Sequence, residues 1–388
     1  MPKESKYKYL PAFINRTNEL DYLYNWISGK ANSILFIYGP KSSGKTTLLM
    51  KFIKKYLNDK DFSIKHFNLR EMLIVNYSDF IQAFFETDYS KLKKNVRQKQ
   101  EYNLKMFKLS KEIIKSLENK SLDPLVVMKQ ELLKTTKKGK RPIIIIDELQ
   151  ALEDIYMNGQ RELLKELFNF FVSITKESHL CHVIIASSDG YFMKKIYEDS
   201  KLTKTSEFFE VEYLNEQDTK HWLSNLEKES SITNYVLTDS QIDIIWKNLN
   251  GSMWEISKIL GQLIPYAKEN KINDEYLLKI IKSLITANCG KFKYYAGLNF
   301  KKYILLNTIY QLRNNINNTY EFEELDLRSL VSDKMYGIDE LRDELNNLVR
   351  LNILAFNPTS SLYKLQSVSI FWGLKEYIEN VPKDWAER

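Results

Sequence analysis

The sequence predicts an α/β fold built on a parallel sheet, and three observations predict it. An apolar run, SILFIYG at 33–39, leads into the loop GPKSSGKT at 39–46 and then into an amphipathic stretch from Thr46 to about Leu57. Four consecutive isoleucines at 143–146 read as a strand covered on both faces, as parallel strands are. Further apolar runs at 62–70, 182–187 and 207–214 alternate with helical patterns, and strands that alternate with helices argue for parallel pairing. The α/β region therefore spans residues 1–214.

Taken in order, the elements are justified one by one. The run at 33–39 is the first strand, and the stretch after the loop is its helix. The second strand is FSIKHFNLR, 62–70. Residues 86–140 then interrupt the alternation as a polar, Lys-rich insertion of helical character with no strand signal. PIIIID (142–147) is the third strand, HVIIAS (182–187) the fourth and EFFEVEYL (207–214) the fifth. Between the third and fourth, Leu163, Leu164, Leu167, Phe168, Phe171 and Ile174 recur at helical spacing. From Asn215 to about 295 the pattern is all-helical, with Asn215, Thr238 and Asn273 as helix starts. Residues 296–388 open on a helix carrying Phe300, Tyr303, Ile304, Ile309 and Leu312. A second helix near 338–350 places Ile338, Leu341, Leu345 and Leu348 on one face. Two strand-like runs, LNILAFN and LYKLQSV, flank the turn residues PTSS, and helices followed by a small hairpin predict a winged helix.

Composition sets the class. At 388 residues, 44% hydrophobic and 28% charged, the chain has the length for two or three cored domains and the make-up of a soluble protein. Cys181 and Cys289 are too few for a disulfide framework, which fits a reducing compartment. The N-terminal MPKESKYKYL lacks the apolar core of a secretory signal, and no apolar stretch approaches the roughly 20 residues needed to span a bilayer. The expectation is a soluble, cytoplasmic protein with no membrane partner. The net charge of +7 is uneven: residues 91–140 carry fifteen basic and five acidic side chains, whereas 296–388 carry eleven and thirteen.

The loop 39–46 fits G-x-x-x-x-G-K-[ST] at every fixed position. Gly39 and Gly44 allow backbone conformations that turn successive N–H groups toward a phosphate, and the following helix adds its positive end. Gly39, Pro40, Lys41, Ser42, Ser43, Gly44, Lys45, Thr46 and Thr47 are the candidate nucleotide-binding residues. Lys45 supplies a compact charge to the β- and γ-phosphates, and Thr46 a hydroxyl to magnesium. Asp147 ends the isoleucine strand and is the second candidate Mg2+ residue. Glu148, directly after it, is placed to polarise an attacking water. The catalytic set is thus Lys45, Asp147 and Glu148, with ATP and Mg2+ as ligands. Ser187 and Ser188, at the end of the fourth strand, are candidate sensors of the γ-phosphate, although a Ser-rich turn explains them equally well.

These residues carry a family resemblance. FINRTNELDYL (13–23), YGPKSSGKTTLL (38–49), IIIIDELQ (143–150) and HVIIASSD (182–189) resemble the archaeal ATPase family, in the STAND branch of AAA+-related P-loop ATPases near the origin-recognition ATPases. LNGSMWEISKIL (249–260) is similar to the Gly-centred lid motif of that family. The resemblance implies an ASCE/AAA+-like five-stranded parallel sheet in the order 5-1-4-3-2 and ATP at its carboxyl edge. It also implies a helical lid over 215–295, a winged helix over 296–388, and an adenine pocket near Phe13, Ile14 and Arg16. Two departures stand out: EDSKLTKTSEFF (198–209) has Lys201 and Lys204 where many relatives carry an Arg, and Gly251-Ser252-Met253-Trp254 lacks the usual Pro.

Other signals weigh less. His179, Cys181 and His182 lie close in sequence, but a structural zinc site needs four ligands and no second cluster complements them. The Lys-rich segment, with Tyr89, Tyr102 and Phe107 interleaved, could grip nucleic acid or form a solvated helical face. The exposed side of the 338–350 helix offers Asp339, Glu340, Asp343, Glu344, Asn346 and Asn347, a surface that repels phosphate and suits a protein partner. The leading expectation is a nucleotide-dependent switch of slow turnover, with ATP between the α/β core and the lid. Its rivals are a DNA-handling ATPase of replication-initiator or mobile-element type, gripping nucleic acid through the insertion, and an ATP-binding regulator of negligible turnover.

Overall fold

The computed structural model describes residues 12–87, 107–156, 161–198, 202, 204–315 and 321–381. The chain separates into two compact units, and the α/β layers lie in the one formed by residues 17–38 and 45–210. Helix α1 (Thr17–Ser28) leads to β1 (Ile34–Tyr38), a strand buried along its whole length. Helix α2 (Lys45–Tyr56) and β2 (Phe62–Asn68) follow. Next come α3 (Tyr77–Phe84), β3 (Phe85–Thr87), β4 (Phe107–Leu109), α4 (Lys111–Glu118) and α5 (Pro124–Lys137). The unit ends with β5 (Arg141–Asp147), α6 (Leu163–Val172), β6 (His182–Ala186), α7 (Gly190–Glu198) and β7 (Ser206–Glu210).

The five long strands make one parallel sheet in the order β2-β5-β6-β1-β7. The isoleucines of β5 and all of β6 are buried, because helices cover both faces. Register fixes what the sheet presents at its carboxyl edge. Asn68 pairs with Asp147, Asp147 with Ala186, and Ala186 with Ile37, so the strands end in one row. Residues just past that row, Arg70, Glu148, Ser187 and Ser188, emerge at a common edge.

Between β2 and β5 the structure differs from the sequence reading. Residues 85–87 and 107–109 form a parallel two-stranded ladder where an all-helical insertion is expected. Three residues are too few to show alternation, but Phe107 and Leu109 are buried with Lys108 outward between them, and Phe107 packs on Phe67 with ring centroids 6.3 Å apart. Helices α4 and α5 have regular starts, with Ser110 capping one and Asp123 followed by Pro124 opening the other. Tyr89, Lys91, Lys93, Lys94, Arg97 and Tyr102 lie outside the described residues.

The second unit comprises residues up to 16, 39–44 and 211 onward. Its helices are α8 (Glu216–Ser224), α9 (Leu226–Ser230), α10 (Asp239–Leu249), α11 (Met253–Leu263) and α12 (Asp274–Ala296). Asn215, Thr238 and Asn273 each accept a backbone N–H in the first turn of α8, α10 and α12, satisfying donors a helix end leaves unpaired. Ala12 and Ile14 join Trp222, Ile245, Ile256 and Leu260 in this unit's apolar core. The chain continues through α13 (Phe300–Asn315), β8 (Glu321–Phe322), α14 (Arg328–Ser332), α15 (Ile338–Arg350), β9 (Leu354–Asn357), β10 (Leu362–Leu365) and α16 (Val368–Glu379). The last three strands form an antiparallel sheet, β8-β10-β9. In α15 Leu341, Leu345 and Leu348 are buried as their spacing predicts, while Ile338, in the first turn, is 59% exposed. Helix α16 packs against α12 at Gly373, where a Cβ would stand 2.7 Å from Asn288 Cβ. No helix among the described residues is long and apolar enough to cross a membrane.

Candidate functional site

The carboxyl edge of the sheet gathers the polar groups of the first unit. Asp147 and Glu148 come directly after the four buried isoleucines of β5, so both are carried to the strand's end with little solvent around them, 2% and 5% exposed. Thr46, in the first turn of α2, donates its hydroxyl to Asp147 Oδ2 at 2.6 Å. Lys45 is also buried. Burial pushes the Asp147 carboxyl above its usual range, against the opposing pull of the Thr46 hydroxyl and the Arg70 and Lys45 charges.

Glu148 sits in the left-handed region, φ +64°, an uncommon conformation for a residue with a side chain. Both oxygens of its carboxylate accept hydrogen bonds. Oε1 accepts from the Arg70 guanidinium and from Ser188 Oγ at 3.0 Å, and Oε2 accepts from the Gln150 amide. Arg70 also donates to Ser188 Oγ, at 2.8 Å. Ser187 donates to Gln150 Oε1 at 3.0 Å, so the ends of β2, β5 and β6 share one network. Arg70 carries no motif signal, and Gln150 closes the run IIIIDELQ with no role of its own read there. Arg70 closes the run read as the second strand, and a charged side chain at the same sheet edge as two carboxylates is the clue that locates it.

The phosphate-loop segment 39–44 belongs to the second unit, and the chain passes from Gly44 directly to Lys45. Gly39 (φ +139°), Ser42 (φ +65°) and Gly44 (φ +94°) have positive φ, and such alternation of backbone handedness makes an N–H-lined concavity for anions. Only glycine fits at 39, since a Cβ would lie 2.3 Å from the Val211 carbonyl oxygen. The loop's carbonyls are held. Pro40 O accepts from Ser43 N at 3.2 Å, Lys41 O from the Tyr213 hydroxyl at 2.9 Å, and Ser43 O from Arg16 at 3.1 Å. Arg16 also donates to Glu212 O at 2.7 Å, which fastens the loop to the chain leaving β7. In the run LNGSMWEISKIL, a Cβ on Gly251 would come 1.9 Å from Leu214 O, so that glycine is required by close backbone approach.

A model of ATPase domains predominantly from Archaea matches residues 13–259. The chain belongs to that archaeal ATPase family. It is similar to an ATP-binding protein of Methanocaldococcus jannaschii, 32% identical over 378 residues that cover 95% of each chain. A second ATP-binding protein of that organism is 34% identical over 348 residues, covering 86% of this chain and 99% of the relative. Among solved structures, the Walker-type ATPase of Pyrococcus abyssi superposes with a TM-score of 0.61 at 16% identity, covering 94% of this chain and 96% of that one. At that identity the match speaks for the fold, an α/β P-loop ATPase with a parallel central sheet.

Lys45, Thr46, Asp147, Glu148, Ser187 and Ser188 converge, as described. Of the expected adenine pocket, Ile14 is buried in the apolar core of its unit, Phe13 is half-buried, and Arg16 is buried and braces the phosphate loop. His179 Nδ1 contacts Ala31 O at 2.6 Å, His182 packs edge-on against Trp26, and Cys181 is buried. No group of three such ligands forms among the described residues. Lys201 lies outside the described residues, and the Lys204 carbonyl accepts from Lys176 at 3.2 Å.

Proposed function

We propose that this member of the archaeal ATPase family is a nucleotide-dependent switch of STAND type that binds ATP at residues 39–47 and hydrolyses it slowly. The observation that carries the reading is the Thr46–Asp147 contact at 2.6 Å, with buried Glu148 beside it, directly after a complete phosphate loop. The loop's positive-φ residues support binding of the phosphate chain, and Lys45 adds a charge for the β- and γ-phosphates. The Thr46 hydroxyl and Asp147 carboxylate are hard oxygen donors in contact, a set suited to Mg2+, which usually takes one or two such protein groups and keeps water and phosphate oxygens. Bound there, Mg2+ would neutralise charge on the phosphates.

Glu148 is the group for the attacking water: it orients the water and takes its proton as the bond to the γ-phosphorus forms and the ADP oxygen leaves. With both carboxylate oxygens engaged by Arg70, Ser188 and Gln150, the base is held back, which supports slow turnover. Ser187 and Ser188 are suited to report the γ-phosphate through that network, and Phe13 and Ile14 to lie near the base. In this reading residues 1–214 are the ATPase core, 215–295 the lid and 296–388 a winged helix, and the lid and winged helix respond to hydrolysis. Equilibrium binding of Mg·ATP, followed by product analysis in a single turnover, tests it. A chain that binds no nucleotide ends the proposal, and one that binds ATP without cleaving it leaves a regulator with structural nucleotide.

A further inference from the structure

The C-terminal hairpin and the helix after it reach three places around the phosphate-loop segment, all within the second unit. Lys364 of β10 is ion-paired with Glu212, the residue whose carbonyl takes Arg16. Gln366 is nearly buried, its backbone N–H is bonded to Ile353 O at 2.8 Å, and its amide, oriented to satisfy both ends, donates to Leu354 O at 3.3 Å and accepts from the Lys41 backbone N–H. Ser369 donates to Glu255 Oε1 at 2.5 Å, and Ser367 donates to the same oxygen at 3.4 Å. Glu255 belongs to α11, the helix that opens on the lid motif, and its other oxygen is buried with no hydrogen-bond partner. Glu255 is buried, so separating its carboxylate from Ser367 and Ser369 is costly and the contact between α11 and residues 367–369 resists opening.

The two peptides that meet at Lys41 are therefore each held by a side chain. Tyr213 donates to the Lys41 carbonyl, and Gln366 accepts from the Lys41 N–H. Neither group is part of the Walker motifs, and one of them comes from a segment more than three hundred residues along the chain. Ser42, next in sequence, carries the positive φ that shapes the anion concavity, so whatever fixes Lys41 also fixes the turn into it.

We propose that residues 364–369 are a positioning element of the nucleotide site, with Gln366 setting the phosphate loop, and that nucleotide occupancy and the seating of the C-terminal hairpin are thereby reciprocally coupled. This rests on the reading of 39–47 as the ATP site. Coupling of this kind is symmetric: if the seated hairpin favours nucleotide, bound nucleotide favours the seated hairpin by the same factor.

The test uses the full chain and Mg·ATP. Gln366→Met keeps the side chain's length and removes both hydrogen bonds. It is expected to weaken ATP binding by roughly 3- to 10-fold, the scale of one or two net hydrogen bonds. Hydrolysis at saturating ATP stays unchanged, because Gln366 meets loop backbone and no reacting group. Tyr213→Phe should weaken binding less, and the double variant should lose less than the product of the two, since both grip one residue. Hydrogen exchange on the wild type needs no variant: ATP should slow exchange of the amides of residues 366 and 370, and this slowing should vanish in Gln366→Met. Wild-type affinity in Gln366→Met, a fall in saturated rate alone, or wild-type exchange indifferent to ATP overturns the proposal. A wild type that binds ATP while any of these holds removes only the positioning role, whereas a wild type that binds no nucleotide removes the ATP reading with it.

Discussion

Arg70→Met isolates the restraint on the proposed base. The guanidinium donates to Glu148 Oε1 and to Ser188 Oγ, so it holds one oxygen of the proposed base on a partner other than the attacking water. A hydrogen bond to a charged group contributes about 1.5–3 kcal/mol where it is dry. The Arg70 side chain is 53% exposed, and an exposed ion pair contributes about 0–1 kcal/mol, so the restraint here is about 1 kcal/mol. Removing it should lower the barrier by that amount, roughly a fivefold faster single-turnover hydrolysis at saturating ATP. The thermal midpoint should move by no more than a few degrees, since about 1 kcal/mol is a small part of the stability of a domain this size. Adding Glu148→Gln should cancel the acceleration, because the released group is then absent. A slower Arg70→Met enzyme would show that Arg70 serves the reaction, and acceleration that survives Glu148→Gln would remove Glu148 from the base role.

Other perturbations have equally definite outcomes. Gly251→Ala drives a Cβ to within 1.9 Å of Leu214 O and threatens the 3.2 Å hydrogen bond from Leu214 N, so chemical denaturation should show a loss of about 2–4 kcal/mol. Because burial raises Asp147 above its unfolded value, its ionisation opposes folding as pH rises through the folded pKa. Asp147→Asn should therefore raise the melting temperature of the nucleotide-free protein at pH 7, with the gain fading at acid pH where both states are protonated. The same variant and Thr46→Ala should both raise the Mg2+ concentration needed for hydrolysis, and a shift in only one would separate their roles. His182 is pushed down to about 4 by burial and, less, by Arg141, so the unfolded chain binds the extra proton between that value and 6.5. Stability should fall as pH drops through this window, and His182→Asn should flatten the fall in melting curves.

The sheet was legible because its signals are local. Ile143–Ile146, the residues of β1 and Val183–Ala186 of β6 are apolar without interruption, and Asn215, Thr238 and Asn273 cap helices where they stand in sequence. The same holds for Thr46 and Asp147, whose residue types and positions relative to strand ends suffice to bring them together. The ladder of residues 85–87 and 107–109 was not legible, since three-residue strands carry too little alternation and are defined by Phe107 packing on Phe67. Arg70, Tyr213 and Gln366 were missed for a related reason. Each acts through one contact distant in sequence, to Glu148 or to the backbone of Lys41, and no spacing rule encodes such contacts. Arg16, expected near adenine, donates to the carbonyls of Ser43 and Glu212, contacts that no spacing rule encodes.

Binding and cleavage of Mg·ATP by Glu148→Gln, beside wild type and Lys45→Ala, tests the central claim most directly. The account predicts that Glu148→Gln binds ATP as wild type does while its single-turnover rate falls by at least roughly 10²-fold, the usual loss on removing a general base. Lys45→Ala should lose binding itself. Wild-type hydrolysis by Glu148→Gln, or wild-type ATP affinity in Lys45→Ala, would contradict it.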